Sequence, residues 1–323
     1  MKSPRAPSLE ASSSWTVSRG EAGLRLDKFL AAPGRLGSRG RVTAAIARGK
    51  ILVNDADAGP ADAGSRLRGG DVVRVWMDRP GSSRPVRRPS RAGGVQILYE
   101  DDLLLVVNKP AGLLTVPLEG RREAASAYDH LEDHLRPYGK RRPLVVHRID
   151  RDTSGLVMFA KTSAARQALQ DQFRRREPER VYWAVMYGQP EPAEGTWRDR
   201  LAWDARTLLQ KRARAGDPKG VEAISHYRVL ETMAGTSLVE VRLETGKQNQ
   251  IRIQAGLRGH ALVGERRYVD EAGASVAIAF PRQALHAHRL SFRHPGDRRP
   301  ISVEARPPAD FRALLAQLRR RRE

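Results

Sequence analysis

The sequence contains no cysteine and no long apolar run, and both absences restrict what the protein can be. Without thiols it has no disulfide bond and no cysteine-ligated metal site. No stretch approaches the roughly 18 consecutive apolar residues of a membrane span. The mean hydropathy is −0.54, and the N-terminus lacks the apolar core of a secretory signal. These features predict a cytoplasmic protein that has no membrane partner.

Acidic residues are also scarce in this chain. The 37 aspartates and glutamates stand against 58 lysines and arginines, which leaves a net charge of +21, and the isoelectric point is near 11.1. The electric field of this positive charge attracts polyanions and makes their binding sensitive to salt. The charge alone does not distinguish RNA from DNA or from an anionic membrane surface.

Signatures of a bound cofactor are missing as well. The sequence has neither the Gly-x-x-x-x-Gly-Lys-Ser/Thr loop that cradles nucleotide phosphates nor the Gly-x-Gly-x-x-Gly dinucleotide fingerprint. Two histidine pairs, His130 with His134 and His286 with His288, have no cysteine or suitably placed glutamate to complete a zinc site. We therefore expect neither a cofactor nor a metal ion.

Composition divides the chain into five segments. Residues 1–20 are rich in Ser, Pro and Ala, which predicts a disordered N-terminal tail. A compact unit over 21–78 precedes a basic linker over 79–94, which holds five arginines, three prolines and no acidic residue. Residues 95–308 are predicted to form one domain that mixes helices and strands. Residues 309–323 are predicted to form a basic C-terminal helix or tail, because their apolar residues recur at helical spacing.

The most informative stretch is His-Arg-Ile-Asp-Arg-Asp-Thr-Ser-Gly at residues 147–155. Aliphatic runs on either side predict buried strands, so the stretch is a rigidly held connection, where functional side chains are often placed. Asp150 lies between Arg148 and Arg151, whose charges should favour its ionised form. Such a carboxylate suits a nucleophile or a base, although the same charges could simply hold the loop together.

This stretch resembles the signature of the RluA-type pseudouridine synthases, His-Arg-Leu-Asp-Arg-x-Thr-Ser-Gly, with isoleucine in place of leucine. The resemblance implies that Asp150 is the catalytic nucleophile and that Arg148 enters the RNA helix and helps to displace the target uridine. We group His147, Arg151 and Thr153 with Arg148 as substrate-binding residues. His147 suits a hydrogen bond that fixes the loop better than it suits a catalytic base.

Other segments match the family in the same order along the chain. Lys109 stands in a Lys-Pro-Ala-Gly turn like that of the family, and we place it with the substrate-binding residues. Tyr182 maps onto the active-site tyrosine, which would stack on the uracil and serve in proton transfer. Arg252 maps onto the arginine that pairs with the catalytic aspartate. Lys247 and Asn249 depart from the family's Arg and His, so the bidentate fork and the titrating ring are lost there.

The segment from Leu285 to Pro295 closely matches the C-terminal strand of the family. A looser match, Gly264-Glu265-Arg-Arg-Tyr268, stands where the family has Gly-Asp-x-x-Tyr-Gly. Taken together, the resemblance covers residues 21–308.

The compact unit at 21–78 has its own resemblance. Apolar residues from Leu26 to Leu30 fall on one helical face, a second helix is predicted over Ser38–Arg48, and residues 51–54 and 72–75 are predicted as strands. The order of these pieces is similar to the alpha-L RNA-binding domain. Basic residues of the unit would contact phosphates, or would be ordinary solvated charges. These residues are Arg25, Lys28, Arg39, Arg41, Arg48 and Lys50.

The resemblance implies an α+β fold, in which a mixed, mainly antiparallel-sheet pseudouridine synthase catalytic domain follows a small α/β alpha-L RNA-binding domain. It implies a cofactor-free RNA pseudouridine synthase whose partner is structured RNA, with ribosomal RNA favoured over transfer RNA because of the alpha-L domain. We expect a monomer. The departures at Lys247 and Asn249 leave one alternative, a non-catalytic RNA-binding or ribosome-assembly factor on the same scaffold.

Overall fold

The computed structural model describes residues 13–47, 49–76, 90–92, 94–117, 125–136, 142–205, 209–269 and 278–320. The chain divides into two compact units, Met1–Pro85 and Val86–Glu323. No helix in the described part of the chain is long and apolar enough to cross a membrane.

The first unit is a four-stranded antiparallel sheet with two short α-helices. The strand order is β1-β4-β2-β3. Leu26, Phe29 and Leu30 are buried against Val42 and Ile46 of the second helix, which confirms the predicted helical faces. The elements are β1 (Ser13–Thr16), α1 (Leu26–Leu30), α2 (Arg39–Ala47), β2 (Ile51–Val53), β3 (Ala56–Asp57) and β4 (Val72–Val75).

The first unit begins earlier than the sequence predicts. Strand β1 lies inside the segment predicted as a disordered tail, and it pairs with β4 in the register Ser13↔Val75. Val17, which follows the strand, is buried in the core of the unit. The prediction of disorder is therefore wrong from Ser13 onward, because an edge strand this short needs few apolar residues to pair. Residues 1–12 lie outside the described part of the chain.

The second unit is built on one twelve-stranded mixed sheet. The main strand order is β12-β11-β13-β14-β10-β15-β9-β7-β6-β5, with β16 paired to β15 and β8 paired to β9. Its strands are β5 (Ser90–Ala92), β6 (Val95–Glu100), β7 (Leu104–Lys109), β8 (Leu144–Val145), β9 (Ser154–Ala160), β10 (Glu179–Tyr187), β11 (Glu194–Asp204), β12 (Leu209–Arg212), β13 (Val221–Met233), β14 (Thr236–Leu243), β15 (Leu285–Arg293) and β16 (Pro300–Glu304). Its helices are α3 (Ala127–Leu135), α4 (Ser163–Arg174), α5 (Gln250–Gly256) and α6 (Ala309–Arg320).

The strands pair antiparallel except where β9 meets β15. Gly155 is required at that junction: its φ is +110°, and a Cβ there would lie 2.2 Å from the carbonyl oxygen of Ala287. Only glycine adopts such a conformation without strain and leaves room for so close a backbone approach. The junction brings the loop before β9 beside β15 and its other neighbour β10, which positions the residues of the motif at 147–155.

Two segment boundaries differ from the predicted ones at the edges of this unit. Strand β5 lies within the predicted linker but pairs with β6, so the sheet begins before residue 95. Helix α6 forms as its apolar spacing predicts, and it buries Phe311, Leu314, Leu315 and Leu318 against the sheet. Most of the predicted linker, residues 77–89 and 93, lies outside the described part of the chain.

Candidate active site

Three separate elements bring the predicted catalytic residues together. Asp150 lies in the connection from β8 to β9, Tyr182 lies on the central strand β10, and Arg252 lies on α5. Arg252 Nη1 is 3.4 Å from Asp150 Oδ2. All three residues line a cavity of about 250 Å³, together with Arg148, Ile149, Thr153, Leu243, Gly246, Lys247, Gln248, Asn249, Gln250, Ile251 and Leu285.

Lys109 holds the loop of residues 147–155 in place. Its side chain is fully buried, and Nζ donates hydrogen bonds to the carbonyl oxygens of Pro110 (2.9 Å), Leu113 (2.6 Å) and Arg151 (2.8 Å). These three acceptors match the three donors of an ammonium group. Burial lowers the pKa of Lys109 to about 7, while the carboxylates of Asp152 and Asp150 act in the opposite direction. The side chain lines neither cavity at the site, and the assignment of Lys109 as a substrate-binding residue stays a prediction.

His147 also supports the loop that precedes β9. Its Nε2 accepts a hydrogen bond from the backbone N–H of Met158 (3.1 Å), and its ring stacks on Phe173 with centroids 4.8 Å apart. Burial, with a smaller contribution from the Arg180 charge, lowers the pKa of His147 to about 3, so the ring is neutral near pH 7. The ring therefore fixes the loop to β9 by a hydrogen bond. It lines neither cavity, and its assignment as a substrate contact stays a prediction.

Burial dominates the electrostatics of Asp150. It raises the pKa of this carboxyl above its ordinary value, and the charges of Arg252 and Arg148 oppose the shift only in part. The charge of the flanking Arg148 does favour the ionised form, as expected, but burial outweighs it. Arg151 turns towards Asp152, with Nε 3.2 Å from Oδ1. A carboxylate that is poorly hydrated and held by one arginine is a more reactive base or nucleophile than a fully solvated one.

Arg252 is fixed by a residue that sequence reasoning missed. Glu265 binds its guanidinium at two points, with Nε to Oε2 at 2.6 Å and Nη2 to Oε1 at 2.7 Å. The Glu265 side chain has no exposed surface. Burial acts to raise the pKa of Glu265, but the contacts with Arg252 outweigh it and the pKa is lowered. The sequence signal for this residue is the looser Gly264-Glu265 match, because an acidic residue at that position can pair with the arginine.

Asn249 makes the remaining contact to Arg252. It adopts a left-handed conformation with φ of 55°, which asparagine tolerates better than most residues. Its Oδ1 accepts from Arg252 Nη1 at 2.8 Å, and its Nδ2 donates to the Tyr268 hydroxyl at 3.1 Å. The departure from the family's histidine thus keeps a hydrogen bond to Arg252. Lys247, the other departure, lines the first cavity.

Tyr182 forms one side of the first cavity. It is 9% exposed and pairs across the sheet with Val241 and Ala287. Burial raises the pKa of its hydroxyl, so the phenol is protonated at neutral pH. With Leu243 and Leu285 it gives the cavity an apolar part of its lining beside the polar groups of the loop, a combination that suits a planar ring with polar edges.

A second cavity of about 950 Å³ adjoins the first and shares Asp150 and Arg252 with it. Arg148 is exposed and lines both cavities, as a residue that enters the RNA would have to. Thr153 lines only the first cavity, and Arg151 lines only the second. Across the described residues, no group of three or more histidine, aspartate and glutamate side chains is arranged to hold a metal ion.

The basic residues of the first unit lie mainly at its surface. Arg25, Lys28, Arg39 and Arg41 are exposed, and Lys50 is half-buried. Arg25 is paired with Asp27 at 3.1 Å. Their role in RNA binding stays a prediction, and Arg48 lies outside the described residues.

Comparison with known proteins identifies the family. Residues 103–256 match the family model described as RNA pseudouridylate synthase. An uncharacterized RNA pseudouridine synthase of Synechocystis sp. is 35% identical over 308 residues, which cover 94% of this chain and 92% of that protein. The chain belongs to the RluA-type RNA pseudouridine synthases. This synthase is also 34% identical over 319 residues to the ribosomal large subunit pseudouridine synthase D of Zymomonas mobilis, with 94% of this chain and 96% of that protein covered.

A solved structure supports the fold of this synthase. The structure of human RNA pseudouridylate synthase domain containing 4 matches with a TM-score of 0.57 at 22% identity, covering 69% of this chain and 92% of that one. The enzyme is therefore an RNA pseudouridine synthase with the α+β fold that the sequence predicts. No comparison favours the alternative of a non-catalytic assembly factor, and the contact from Asn249 to Arg252 removes part of its motivation.

Proposed function

We propose that this synthase isomerises uridine in large-subunit ribosomal RNA and that Asp150 is its catalytic carboxylate. The observation that carries the proposal is the position of Asp150, which lies at the junction of a nucleobase-sized cavity and a larger basic one. The ribosomal substrate is supported by the relatives named as ribosomal large subunit synthases, which this chain matches over almost its whole length.

The isomerisation breaks the bond between the ribose anomeric carbon and a ring nitrogen and forms one to a ring carbon, which then gives up its proton. No redox change or energy source is needed. A base can reach Asp150 only after it leaves the helical stack. We assign Arg148 to the space that the flipped uridine vacates, and Tyr182 to stacking on the uracil within the cavity. We assign Thr153, which lines the same cavity, to a contact with the base.

Two steps by Asp150 fit this geometry, and both need its ionised form. The carboxylate either attacks the nucleotide or removes a proton from the sugar. Arg252 holds the carboxylate in position for either step, as the orienting group of a nucleophile does. Deuterium on the sugar distinguishes the two: a primary isotope effect on single-turnover formation of pseudouridine supports proton removal, and its absence supports attack.

The decisive variant is Asp150→Asn, which keeps the size of the side chain but removes the charge. We expect no detectable pseudouridine by chemical mapping of large-subunit ribosomal RNA, with RNA affinity within about three-fold of wild type, since the phosphate contacts that provide affinity remain. Asp133→Asn is the matched control, because Asp133 is an exposed residue of α3 paired only with Arg136 among the described residues. Full turnover by the Asp150 variant would sink the assignment.

Two further properties complete the proposal. We place the enzyme in the cytoplasm, where a ribosomal RNA substrate would be found, and we assign it as a monomer, which light scattering of the purified chain would test. The exposed basic residues Arg25, Lys28, Arg39 and Arg41 of the first unit would add further phosphate contacts.

A further inference from the structure

The rim of the second cavity carries two arginines that the catalytic machinery does not use. Arg266 and Arg267 are exposed and line this cavity. Within the described residues, neither guanidinium has a hydrogen bond or an ion pair. Unpaired guanidinium groups at a cavity rim are suited to an anionic ligand, because each offers a fork of donors that matches phosphate oxygens.

The described acidic residues that line the cavity have other partners and do not pair with these two arginines. Glu265 is committed to Arg252, and Asp152 is paired with Arg151. Arg282, which also lines the cavity, is paired with Asp310 from α6 at 2.7 Å. The net field at the rim is therefore positive beside Asp150.

The backbone that carries the two arginines is held rigidly. Glu265 Oε1 accepts the N–H groups of Arg266 (3.0 Å) and Arg267 (2.9 Å), while the same carboxylate binds Arg252. Gly264 precedes them with φ of +78°, where a Cβ would lie 2.0 Å from the carbonyl oxygen of Arg282. A rim fixed in this way loses less freedom when it binds a ligand than a free loop does.

We propose that Arg266 and Arg267 bind the RNA phosphodiester groups adjacent to the target uridine. This subsite rests on the proposed function. The 5′ and 3′ phosphates of a nucleotide are joined to the ribose on which Asp150 acts, so they must lie within one nucleotide of that carboxylate. The first cavity has an apolar wall that suits the base, and the second has the free positive charge that suits the phosphates. Arg148 keeps its separate role at the vacated position in the helix.

The test is the salt dependence of RNA binding by Arg266→Gln/Arg267→Gln, measured in the Asp150→Asn background so that turnover does not interfere. The probe is a stem-loop of large-subunit ribosomal RNA that contains the uridine located by pseudouridine mapping. Each lost phosphate contact should reduce the slope of log K against log salt by about 0.7. The matched control is Arg166→Gln/Arg306→Gln, two exposed arginines that line neither cavity.

In the active enzyme the rim variant should raise KM about ten-fold or more and leave kcat within about three-fold, since it removes charge-assisted hydrogen bonds to the substrate. A probe with uncharged methylphosphonate linkages on both sides of the uridine should remove the difference between the rim variant and wild type. An unchanged salt slope, or a penalty that persists with the uncharged linkages, would overturn the proposal. A wild-type enzyme that forms no pseudouridine would contradict the proposed function instead, and the salt slope with ribosomal RNA would still decide the arginines' role.

Discussion

Glu265 anchors Arg252, which is paired with Asp150, but among the described residues it makes no hydrogen bond to Asp150 itself. We expect Glu265→Gln to lower kcat by about 10- to 100-fold, because Arg252 loses its two-point anchor and reacting groups misplaced by about 1 Å lose rates of that size. The Glu265 charge also acts to raise the pKa of Asp150. Its removal should therefore move the acid limb of the rate profile to lower pH.

A matched pair of variants separates orientation from charge. Glu265→Asp keeps the charge but is too short for the two-point contact, so it should lose rate with little movement of the acid limb. Single-turnover rates between about pH 4 and 8 provide the readout. Equal profile shapes for Glu265→Gln and wild type would show that Glu265 acts only through packing.

For single residues, the sequence predicts which side chains form the site but not the surroundings that each side chain has in the folded protein. Motif order is sufficient to bring Asp150, Tyr182 and Arg252 to one site. The role of Lys109 depends in part on the carbonyl group of Arg151, 42 residues further along the chain, and the pKa of Asp150 depends on burial. Neither quantity is local, so residue spacing carries no information about it.

The junction of β9 and β15 is the element on which the site depends. Gly155→Ala should destabilise the second unit by several kcal/mol, since the added Cβ meets the Ala287 backbone and φ is positive. Gly235→Ala is the matched control: its φ is also positive, at +62°, but nothing lies within 4 Å of the added Cβ. The control should cost about 1 kcal/mol in urea unfolding. A similar loss for both variants would show that backbone conformation alone requires Gly155.

Elements with long apolar runs were predicted correctly, and short edge elements were not. The aliphatic run that follows the motif at 147–155 forms β9, in which every residue is buried. Strands β1 and β5 have three or four residues each and gain their stability from pairing with a neighbour. The pairing of β9 with β15 places Ser154 beside His286, which lies far along the chain. No local sequence pattern encodes this contact.

For the molecule as a whole, the net charge and the order of the motifs both agree with RNA as the partner. A net charge of +21 predicts a polyanionic partner, and the family match makes that partner RNA. In our proposals the paired Arg252 orients the catalytic carboxylate, whereas Arg266 and Arg267 at the cavity rim add affinity for RNA. Overall charge could not assign these roles, because a pair forms only when folding brings its partners together.

Acid should destabilise the second unit before its carboxylates protonate. Burial lowers the pKa of His147 to about 3 and that of His286 to about 4, from 6.5 in the unfolded chain. Below pH 6.5 the two histidines are protonated in the unfolded chain but stay neutral in the folded one. The free energy of unfolding therefore falls as the pH falls, until the folded pKa values are reached. Each histidine adds a slope of up to about 1.4 kcal/mol per pH unit.

Urea unfolding at pH 7, 6 and 5 tests this expectation. His147→Gln, which can still accept from the Met158 N–H, should be less stable at pH 7 but should lose less stability on acidification, and His286→Gln should behave in the same way. The double variant should flatten the pH dependence by the sum of the two single effects, because the sites share no hydrogen bond. A double variant as acid-sensitive as wild type would mean that other groups control the acid limit of the fold.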